Sequence, residues 1–197
     1  MRYHDDHKAK TRAKVLSAAA RAIRAEGPER VAVAQVMAEA GLTHGGFYAH
    51  FASKDDLVAE AIRQMFSEGR ERYDRLLAGK PPAAALAGFI DTYVSRRHRD
   101  ARDTGCPLPA LSADLPRLPE AARVRFGEGV EQMHHRLASW LTELGKPDPQ
   151  ALAASVLAEM VGAVALSRAV ADAAQSDRIL EATRAALKAR FGLDAQA

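Results

Sequence analysis

Apolar residues recur at helical spacing along the whole chain, and no run shows the strict alternation that is typical of a half-buried strand. The first predicted helix runs from about Asp6 to Glu26 and is ended by Gly27-Pro28. Its apolar face is formed by Val15, Ala19, Ala22 and Ile23. This pattern favours an all-α protein.

Two short predicted helices follow, separated by a tight turn. The first covers Val33–Ala40, and Gly41 stands where a helix end requires a left-handed residue. Leu42 is expected to pack its apolar side chain inside the turn. Thr43 is expected to cap the second short helix, His44–His50. Helix, glycine turn and helix together form a helix-turn-helix motif.

The remaining chain predicts longer helices and a second domain. Ser53 is expected to cap a helix from Lys54 to Leu77, which Gly79-Lys80-Pro81-Pro82 ends. Five further helices are predicted over about 83–102, 105–114, 119–144, 149–174 and 177–191, the last with Ser176 as its cap. We therefore expect about nine helices, with an N-terminal domain over 1–53 and a helical bundle over 54–197.

One predicted helix of the bundle carries a continuous ridge of small side chains. The ridge consists of Ala154, Ala158, Gly162, Ala165, Ala169 and Ala173. Small residues let a second helix approach closely, either inside the same bundle or across a two-fold dimer contact. The sequence leaves both interpretations open and slightly favours the dimer.

Composition narrows the class of protein. With 48% hydrophobic and 27% charged residues, the chain is expected to fold around a sizeable core. The longest nearly apolar stretch, Val156–Leu166, is shorter than the roughly 20 residues of a membrane-spanning helix, so no membrane partner is expected. The N-terminus shows no secretory signal, which predicts a cytoplasmic location. A single cysteine, Cys106, excludes an internal disulfide and a cysteine-rich zinc site.

The excess positive charge lies at one end of the chain. Residues 1–54 hold nine Lys/Arg and five Asp/Glu, a net of +4, whereas the other residues sum to −1. Such a distribution is found both on solvated helix faces and on surfaces that bind anions. The helix-turn-helix favours the second interpretation.

The second short helix of the motif has the composition of a segment that approaches DNA. Gly45 and Gly46 each cost about 1 kcal/mol relative to alanine inside a helix, which indicates close approach to a partner, the alternative being a loose turn. Phe47 and Phe51, four residues apart, are expected to face inward. The outward residues are then expected to contact phosphates or base edges of a double-stranded operator: Thr43, His44, Gly45, Gly46, Tyr48, His50 and Lys54.

The run VAQVMAEAGLTHGGFYAHFASK at 33–54 resembles the DNA-binding signature of the TetR family of bacterial transcriptional repressors. The resemblance implies a homodimer whose first three helices bind a palindromic operator and whose C-terminal bundle encloses a ligand pocket. It places Thr43, Tyr48, His50 and Lys54 on phosphates, and His44 and Gly45 against bases. Two residues depart from the family pattern. Ala32 stands where the family often has Thr or Ser, and Gly46 stands where it often has Thr.

The segment that begins Gly105-Cys106-Pro107 is similar to one in a branch of that family in which some members sense electrophiles or oxidants through the cysteine. A cysteine at a helix N-terminus, preceded by His98, Arg99 and Arg102, is expected to have a lowered thiol pKa. The alternative is an inert, packed Cys106.

Large side chains of the bundle are the other candidates for a small-molecule effector site. The candidates are Phe89, Tyr93, Phe126, Met133, Trp140 and Met160. Most such residues are core, and about a third of them are expected to line a cavity. No cofactor and no metal are expected, because His134 and His135 point in different directions and His4-Asp5-Asp6-His7 lies at a chain end.

Two other classes of protein are weighed against a ligand-responsive repressor. One is a thiol enzyme with Cys106 as nucleophile and His98 or His134 as base, which no catalytic motif supports. The other is a dimeric helical adaptor that does not bind DNA. The repressor interpretation predicts that an effector moves the long helix starting at Lys54 and so changes the spacing of the two DNA-binding segments.

Overall fold

The structure, a computed structural model, describes residues 2–193, with side chains from residue 7 onward. Every regular element in that range is helical, which confirms the all-α prediction. The α-helices are α1 (Arg2–Glu26), α2 (Val33–Glu39), α3 (Lys54–Leu77), α4 (Pro82–Tyr93), α5 (Arg96–Asp100), α6 (Pro107–Leu111), α7 (Glu120–Glu143), α8 (Pro149–Ala169) and α9 (Ala173–Phe191). Two 3₁₀ segments, His44–Ala49 and Leu115–Arg117, complete the described chain.

The turn after α2 has the geometry that the sequence predicts. Gly41 has a φ of +76°, a conformation that side chains other than glycine adopt at a cost. The Leu42 N–H donates to the Met37 carbonyl at 2.9 Å, and the Gly41 N–H donates to Ala38 at 3.0 Å. These two bonds form a Schellman motif, which satisfies carbonyls at the end of α2 and directs the chain into His44–Ala49.

Helix α3 connects the two halves of the molecule. Ser53 caps it as predicted, since its Oγ accepts from the Asp56 N–H at 3.0 Å. The helix packs against α1 on the N-terminal side and against α7 in the bundle. Its buried side chains, such as Leu57, Ile62 and Met65, belong to one continuous core with both. A displacement of α3 therefore affects both halves.

The prediction of a single helix over 83–102 is wrong, because the helix is interrupted at Val94-Ser95 and forms α4 and α5. Ser95 has an extended backbone, its Oγ accepts from the His98 N–H at 3.1 Å, and its hydroxyl donates to the Thr92 carbonyl at 2.8 Å. One serine thus closes α4 and caps α5, an interaction that competes with a continuous helix.

The predicted boundary between the last two helices is also wrong. Helix α8 ends at Ala169, and Asp172 caps α9 by accepting from the Gln175 N–H at 2.8 Å. Ser176 lies inside α9, where its buried hydroxyl donates to the Ser167 carbonyl at 2.6 Å. Asp172 and Ser176 are both good capping residues, and the tertiary contact with α8 uses the serine instead.

The predicted ridge of small residues is not continuous, because α8 ends at Ala169 and Ala173 begins α9. Its members lie at the surface: Ala154, Ala158, Ala169 and Ala173 are exposed, and Gly162 and Ala165 are half-buried. The chain's own helices therefore leave most of the ridge uncovered.

Helix α8 is longer than the apolar stretch read from the sequence. It has 21 residues and a window of mean hydropathy 1.5, so by length and composition alone it is long and apolar enough to cross a membrane. Core helices of helical bundles pass the same test, and α8 packs against α7 and α9.

Candidate DNA-binding surface and effector pocket

The candidate DNA-binding segment, His44–Ala49, is a 3₁₀ helix and not the α-helix that the sequence predicts. Thr43 stands at the capping position with an extended backbone, but its side chain accepts no capping hydrogen bond, so that part of the prediction is wrong. The Gly46 N–H donates instead to the Thr43 carbonyl at 3.1 Å, in the i to i+3 pattern of a 3₁₀ turn. The Thr43 side chain is left at the surface.

Two phenylalanines anchor this segment, as predicted. Phe47 and Phe51 are each 2% exposed, and their rings stack with centroids 5.6 Å apart. Tyr48, between them, is 74% exposed. Thr43, His44 and Gly45 are also exposed. The segment, anchored by Phe47 and Phe51, therefore exposes four of the seven candidate DNA-binding residues.

Gly45 and Gly46 are not required by the packing of the chain. A Cβ at Gly45 would meet no atom within 4 Å, and one at Gly46 would lie 3.6 Å from Met37 Cε, an ordinary contact. Neither glycine has a positive φ. The segment is ordered as a 3₁₀ helix, which differs from the loose turn considered as the alternative.

His50 and Lys54 are less accessible than the other candidates. His50 is half-buried, its Nδ1 is buried without a hydrogen-bond partner within residues 7–193, and its pKa is lowered, first by burial and then by the charges of Lys8 and Arg12. Lys54 Nζ donates to the Glu29 carbonyl at 3.0 Å, which ties the start of α3 to the turn after α1.

Basic side chains of α1 extend this surface. Lys8, Lys10 and Lys14 are exposed, and after burial the charge of Lys8 is the largest cause that lowers the pKa of His50. Arg12 lies 4.9 Å from the Phe51 ring centroid and pairs with Glu60 at 3.3 Å. Lys8 and Arg12 thus act on the residues that directly follow His44–Ala49.

A cavity in the bundle lies between α3, α7 and the turn before α6. Of the predicted candidates, Cys106, Phe89 and Met133 line it. Tyr93 and Met160 are fully buried core residues, and Trp140 packs on Phe89 with ring centroids 5.5 Å apart, so these three do not line the cavity. Phe126 is also outside it and packs edge-on against Phe66 at 5.7 Å.

Sequence reasoning missed the side of the cavity that α3 forms. Lining residues from this helix include Met65, Phe66, Arg70, Arg72 and Tyr73. Helical spacing marks an apolar face on α3, but that face also packs on α1 and α7. The spacing does not indicate which part of it borders a cavity.

The environment of Cys106 overturns the predicted lowering of its pKa. Burial raises the thiol pKa, although Tyr93, the Leu108 backbone and then Arg168 and Arg24 favour the thiolate. Helix α6 has only five residues, so its dipole is weak. The cysteine Sγ lies 3.9 Å from Met133 Sδ at the cavity wall.

The three residues expected to activate the thiol have other roles. Arg99 Nη1 pairs with Asp177 at 2.7 Å, Arg102 is exposed, and burial lowers the pKa of His98 to about 4. The neutral His98 ring donates from Nδ1 to the Tyr93 carbonyl at 2.7 Å, and its Nε2 accepts from the Cys106 backbone N–H at 2.9 Å. Because Nε2 is occupied, His98 is not placed to act as a base for the thiol.

Other histidines are held in local contacts. His134 Nε2 lies 2.9 Å from the Gln150 carbonyl, and its ring centroid is 6.4 Å from that of His135. Within residues 7–193, no group of three His, Cys, Asp or Glu side chains is arranged to hold a metal ion. The candidate metal-binding run His4–His7 lies mostly outside the described side chains.

Arg24 links the N-terminal half to the cavity wall. Its side chain is 2% exposed, and its Nη2 donates to Glu68 Oε2 of α3 at 2.7 Å. Its Nη1 donates to the Gly105 carbonyl, beside Cys106, at 3.3 Å. One guanidinium on α1 therefore contacts both α3 and the turn that lines the cavity.

Two sequence families match this architecture. Residues 15–61 match the bacterial regulatory proteins of the tetR family, and residues 82–183 match the tetracyclin repressor-like C-terminal domain. The chain is 27% identical over 103 residues to the HTH-type regulator YfiR of Bacillus subtilis, a match that covers 52% of this chain and about half of that protein. It is 26% identical over 161 residues to B. subtilis LmrA, covering 80% and 86% of the two chains.

Solved structures share the whole fold. A TetR transcriptional regulator from Chloroflexus aurantiacus superposes with a TM-score of 0.81 at 26% identity, covering 95% of this chain and 96% of that one. The reduced form of Escherichia coli NemR superposes with a TM-score of 0.79 at 19% identity, covering 91% and 97%. At such identities the likeness to NemR describes the fold alone.

Proposed function

Because the chain belongs to the TetR family of bacterial regulatory proteins, we propose that it is a cytoplasmic homodimeric repressor that leaves a palindromic operator when an effector binds its bundle or modifies Cys106. Proteins of this family regulate transcription by binding DNA and are not enzymes. The thiol-enzyme alternative is therefore set aside.

The surface of His44–Ala49 is the observation that carries the DNA-binding proposal. Thr43, Tyr48, His50 and Lys54 are proposed to contact phosphates, and His44, Gly45 and Gly46 to lie against base edges. Exposure of Tyr48 above the buried Phe47 supports this assignment. Lys54 must exchange its bond to Glu29 for a phosphate, and His50 reaches DNA only at its exposed edge.

The proposed domains are 1–53 for DNA binding and 54–197 for ligand sensing and dimerisation. The second begins at α3, whose first residue is Lys54. Because α3 packs on α1 and α7, a ligand that displaces it would alter the position of His44–Ala49. Arg24 adds a direct path, since it bonds both Glu68 of α3 and the Gly105 carbonyl at the cavity.

The outer face of α8 and α9 is the proposed two-fold contact. Gly162 of the ridge and Leu166, which is 59% exposed, line a shallow, mostly apolar groove that Ile179 and Ala182 of α9 complete. A symmetric dimer would bury this face and hold two DNA-binding segments about one turn of DNA, roughly 34–36 Å, or a multiple of it apart.

Cys106 is proposed as a sensor that reacts inside the cavity, the alternative being that it only packs there. Its raised pKa makes the thiol slow to react at neutral pH, so a reagent must first be held in the cavity. An adduct on Sγ would crowd Met133 and push on the turn that Arg24 holds.

Cys106→Ser, with Cys106→Ala as its matched control for packing, tests the sensor role. Loss of electrophile-induced operator release in both variants, with operator affinity retained, is the expected result. If electrophiles still release the operator from both variants, Cys106 is not the sensor and only packs in the cavity wall.

A selection from random duplex DNA tests the function as a whole. We expect an inverted repeat to be enriched, with binding that weakens steeply as salt rises because several phosphates are neutralised. No enrichment over random sequence would favour the adaptor alternative.

A further inference from the structure

The cavity of the bundle combines an apolar interior with a positively charged rim. Met65, Phe66 and Phe89 form apolar walls, and the guanidinium-bearing residues Arg70, Arg72 and Arg136 border the same space. No described residue that lines it is acidic. Burying a cationic ligand there would bring like charges together without a counter-ion.

Two of the three arginines are bonded only to neutral acceptors. Arg70 Nη1 donates to the Gln132 amide oxygen at 3.2 Å, and Arg72 Nη2 donates to the Thr104 carbonyl at 2.8 Å. Neither pairs with a carboxylate in the part of the chain that the structure describes, whereas Arg136 is paired with Asp74. Within residues 7–193, the guanidiniums of Arg70 and Arg72 therefore form no ion pair.

We propose that this cavity binds a small organic anion, with a carboxylate or a similar acidic group on Arg70 and Arg72 and an apolar body against Phe66 and Phe89. This inference rests on the proposed function of the bundle as an effector site. With a volume of about 50 Å³, the cavity as it stands holds a ligand of only a few heavy atoms. A larger ligand requires α3 and α7 to separate.

An anion at the rim would compete with the neutral hydrogen-bond acceptors of Arg70 and Arg72. A guanidinium and a carboxylate attract each other as two full charges, which a guanidinium and a neutral oxygen do not, and two guanidiniums can hold one carboxylate. Both arginines are exposed, so solvent limits the gain. We therefore expect a selectivity of about fivefold for an anion over its neutral analogue, and not of several orders of magnitude.

The same exchange supplies a route to regulation. The bond from Arg72 to Thr104 joins α3 to the turn that carries Cys106, and the bond from Arg70 to Gln132 joins α3 to α7. A bound anion competes for both bonds and so favours a state in which α3 is released from its neighbours. Such a difference between the two states is what a ligand needs in order to shift their populations.

The single thiol provides a sharp test, because Cys106 lies in the wall of the cavity and the chain has no other cysteine. Iodoacetate and iodoacetamide react alike, with the thiolate sulfur forming a bond to carbon as iodide leaves, but only iodoacetate is anionic. The ratio of their alkylation rates is measured by mass spectrometry at low ionic strength, on the native chain and on the same chain unfolded in urea. We expect the ratio of iodoacetate to iodoacetamide to be about fivefold higher in the native chain.

Arg70→Gln/Arg72→Gln should return the native ratio to that of the unfolded chain. Arg75→Gln is the matched control, because Arg75 lies on the same helix with a side chain that is 75% exposed and does not line the cavity. An equal ratio in native and unfolded wild type, or a preference that survives the double substitution, overturns the proposal.

A second measurement is independent of thiol reactivity. In Cys106→Ser, propionate, which has five heavy atoms, is expected to raise Tm more than propionamide does, and the difference should vanish in the double arginine variant. Equal effects of the two compounds overturn the anion proposal even where alkylation is too slow to follow. Neither measurement uses DNA, so the two proposals can fail separately. If the anion preference is absent but the chain binds its operator, only the proposed ligand class is rejected. If the anion preference is present but the chain binds no operator, only the proposed repressor function is rejected.

Discussion

The imidazole of His98 accepts the backbone N–H of Cys106 at 2.9 Å and donates to the Tyr93 carbonyl at 2.7 Å. One buried ring therefore joins the end of α4 to the turn that borders the cavity. Both bonds require the neutral imidazole with its proton on Nδ1, because the charged ring has no acceptor nitrogen. The protonation of His98 is thus coupled to the position of Cys106.

Acid is expected to destabilise the fold through His98. Burial lowers its pKa from 6.5 to about 4, so between these values the unfolded chain binds a proton that the folded chain does not. The free energy of unfolding should therefore fall, by at most about 3 kcal/mol from this residue, as pH decreases from 6.5 to 4, with no further loss below. Urea unfolding across this range measures it.

His98→Gln should flatten that part of the stability profile. His50, whose pKa is also lowered, acts in the same direction, so His50→Gln is the comparison variant. It should leave most of the slope in place because His50 is only half-buried. Equal slopes in wild type and His98→Gln would contradict the assignment.

Replacing Arg24 should destabilise the chain and loosen the cavity wall. Arg24→Met leaves Glu68 and the Gly105 carbonyl without their partner, at an expected cost of about 2 kcal/mol, which is less than for a fully buried pair because Glu68 is partly exposed. A double-mutant cycle with Glu68→Gln, measured by urea unfolding, should give a coupling energy of about 1 kcal/mol. Additive single effects would show that the pair contributes no stability of its own.

Two glycines are expected to respond in opposite ways to alanine. Gly45→Ala should leave the free energy of unfolding unchanged or raise it by up to about 1 kcal/mol, because no atom opposes the new Cβ. If the backbone at Gly45 approaches bases, the same change should lower operator affinity at least about tenfold.

Gly41→Ala is the matched control, since its φ of +76° is strained for alanine. It should lower stability by about 1 kcal/mol and leave operator affinity nearly unchanged when measured well below Tm. Normal operator affinity in Gly45→Ala would count against close approach at that position.

Tyr48→Phe removes one hydroxyl from a side chain that is 74% exposed. Stability should change by no more than about 0.5 kcal/mol, since the hydroxyl is on the surface. If that hydroxyl contacts phosphate, affinity should fall by about three- to tenfold, and equally for operator and random duplexes. Fluorescence anisotropy with both DNAs distinguishes this from a base contact, which would weaken the operator alone.

Local patterns predicted the turn and the anchoring of the helix-turn-helix, but not that His44–Ala49 is a 3₁₀ helix without a side-chain cap at Thr43. The i, i+4 spacing of Phe47 and Phe51, the glycine at 41 and the serine at 53 each act through neighbours in the chain, and the structure has them as predicted. The break at Ser95 was missed although serine is a known cap, because the apolar spacing continues through it. A capping residue decides a boundary only together with its tertiary contacts.

The chemistry of the cavity depends on distant parts of the chain. Arg99 and Arg102 are close to Cys106 in sequence, yet the cations that favour its thiolate are Arg24 and Arg168, from α1 and α8. The desolvation that outweighs them also comes from packing between helices. Neither effect has a signature in the local sequence, so the predicted direction of the thiol pKa was wrong.

Footprinting of the protein on a DNA site chosen by selection from random duplexes measures most directly whether two copies of His44–Ala49 bind one operator. We expect two chains per site and protection of two half-sites related by inversion, with centres about 10 base pairs or a multiple of that apart. At the lowest protein concentration at which the wild type protects both half-sites, Gly45→Ala should protect neither. Protection of a single half-site by the wild type, or full protection by Gly45→Ala at that concentration, would contradict this expectation.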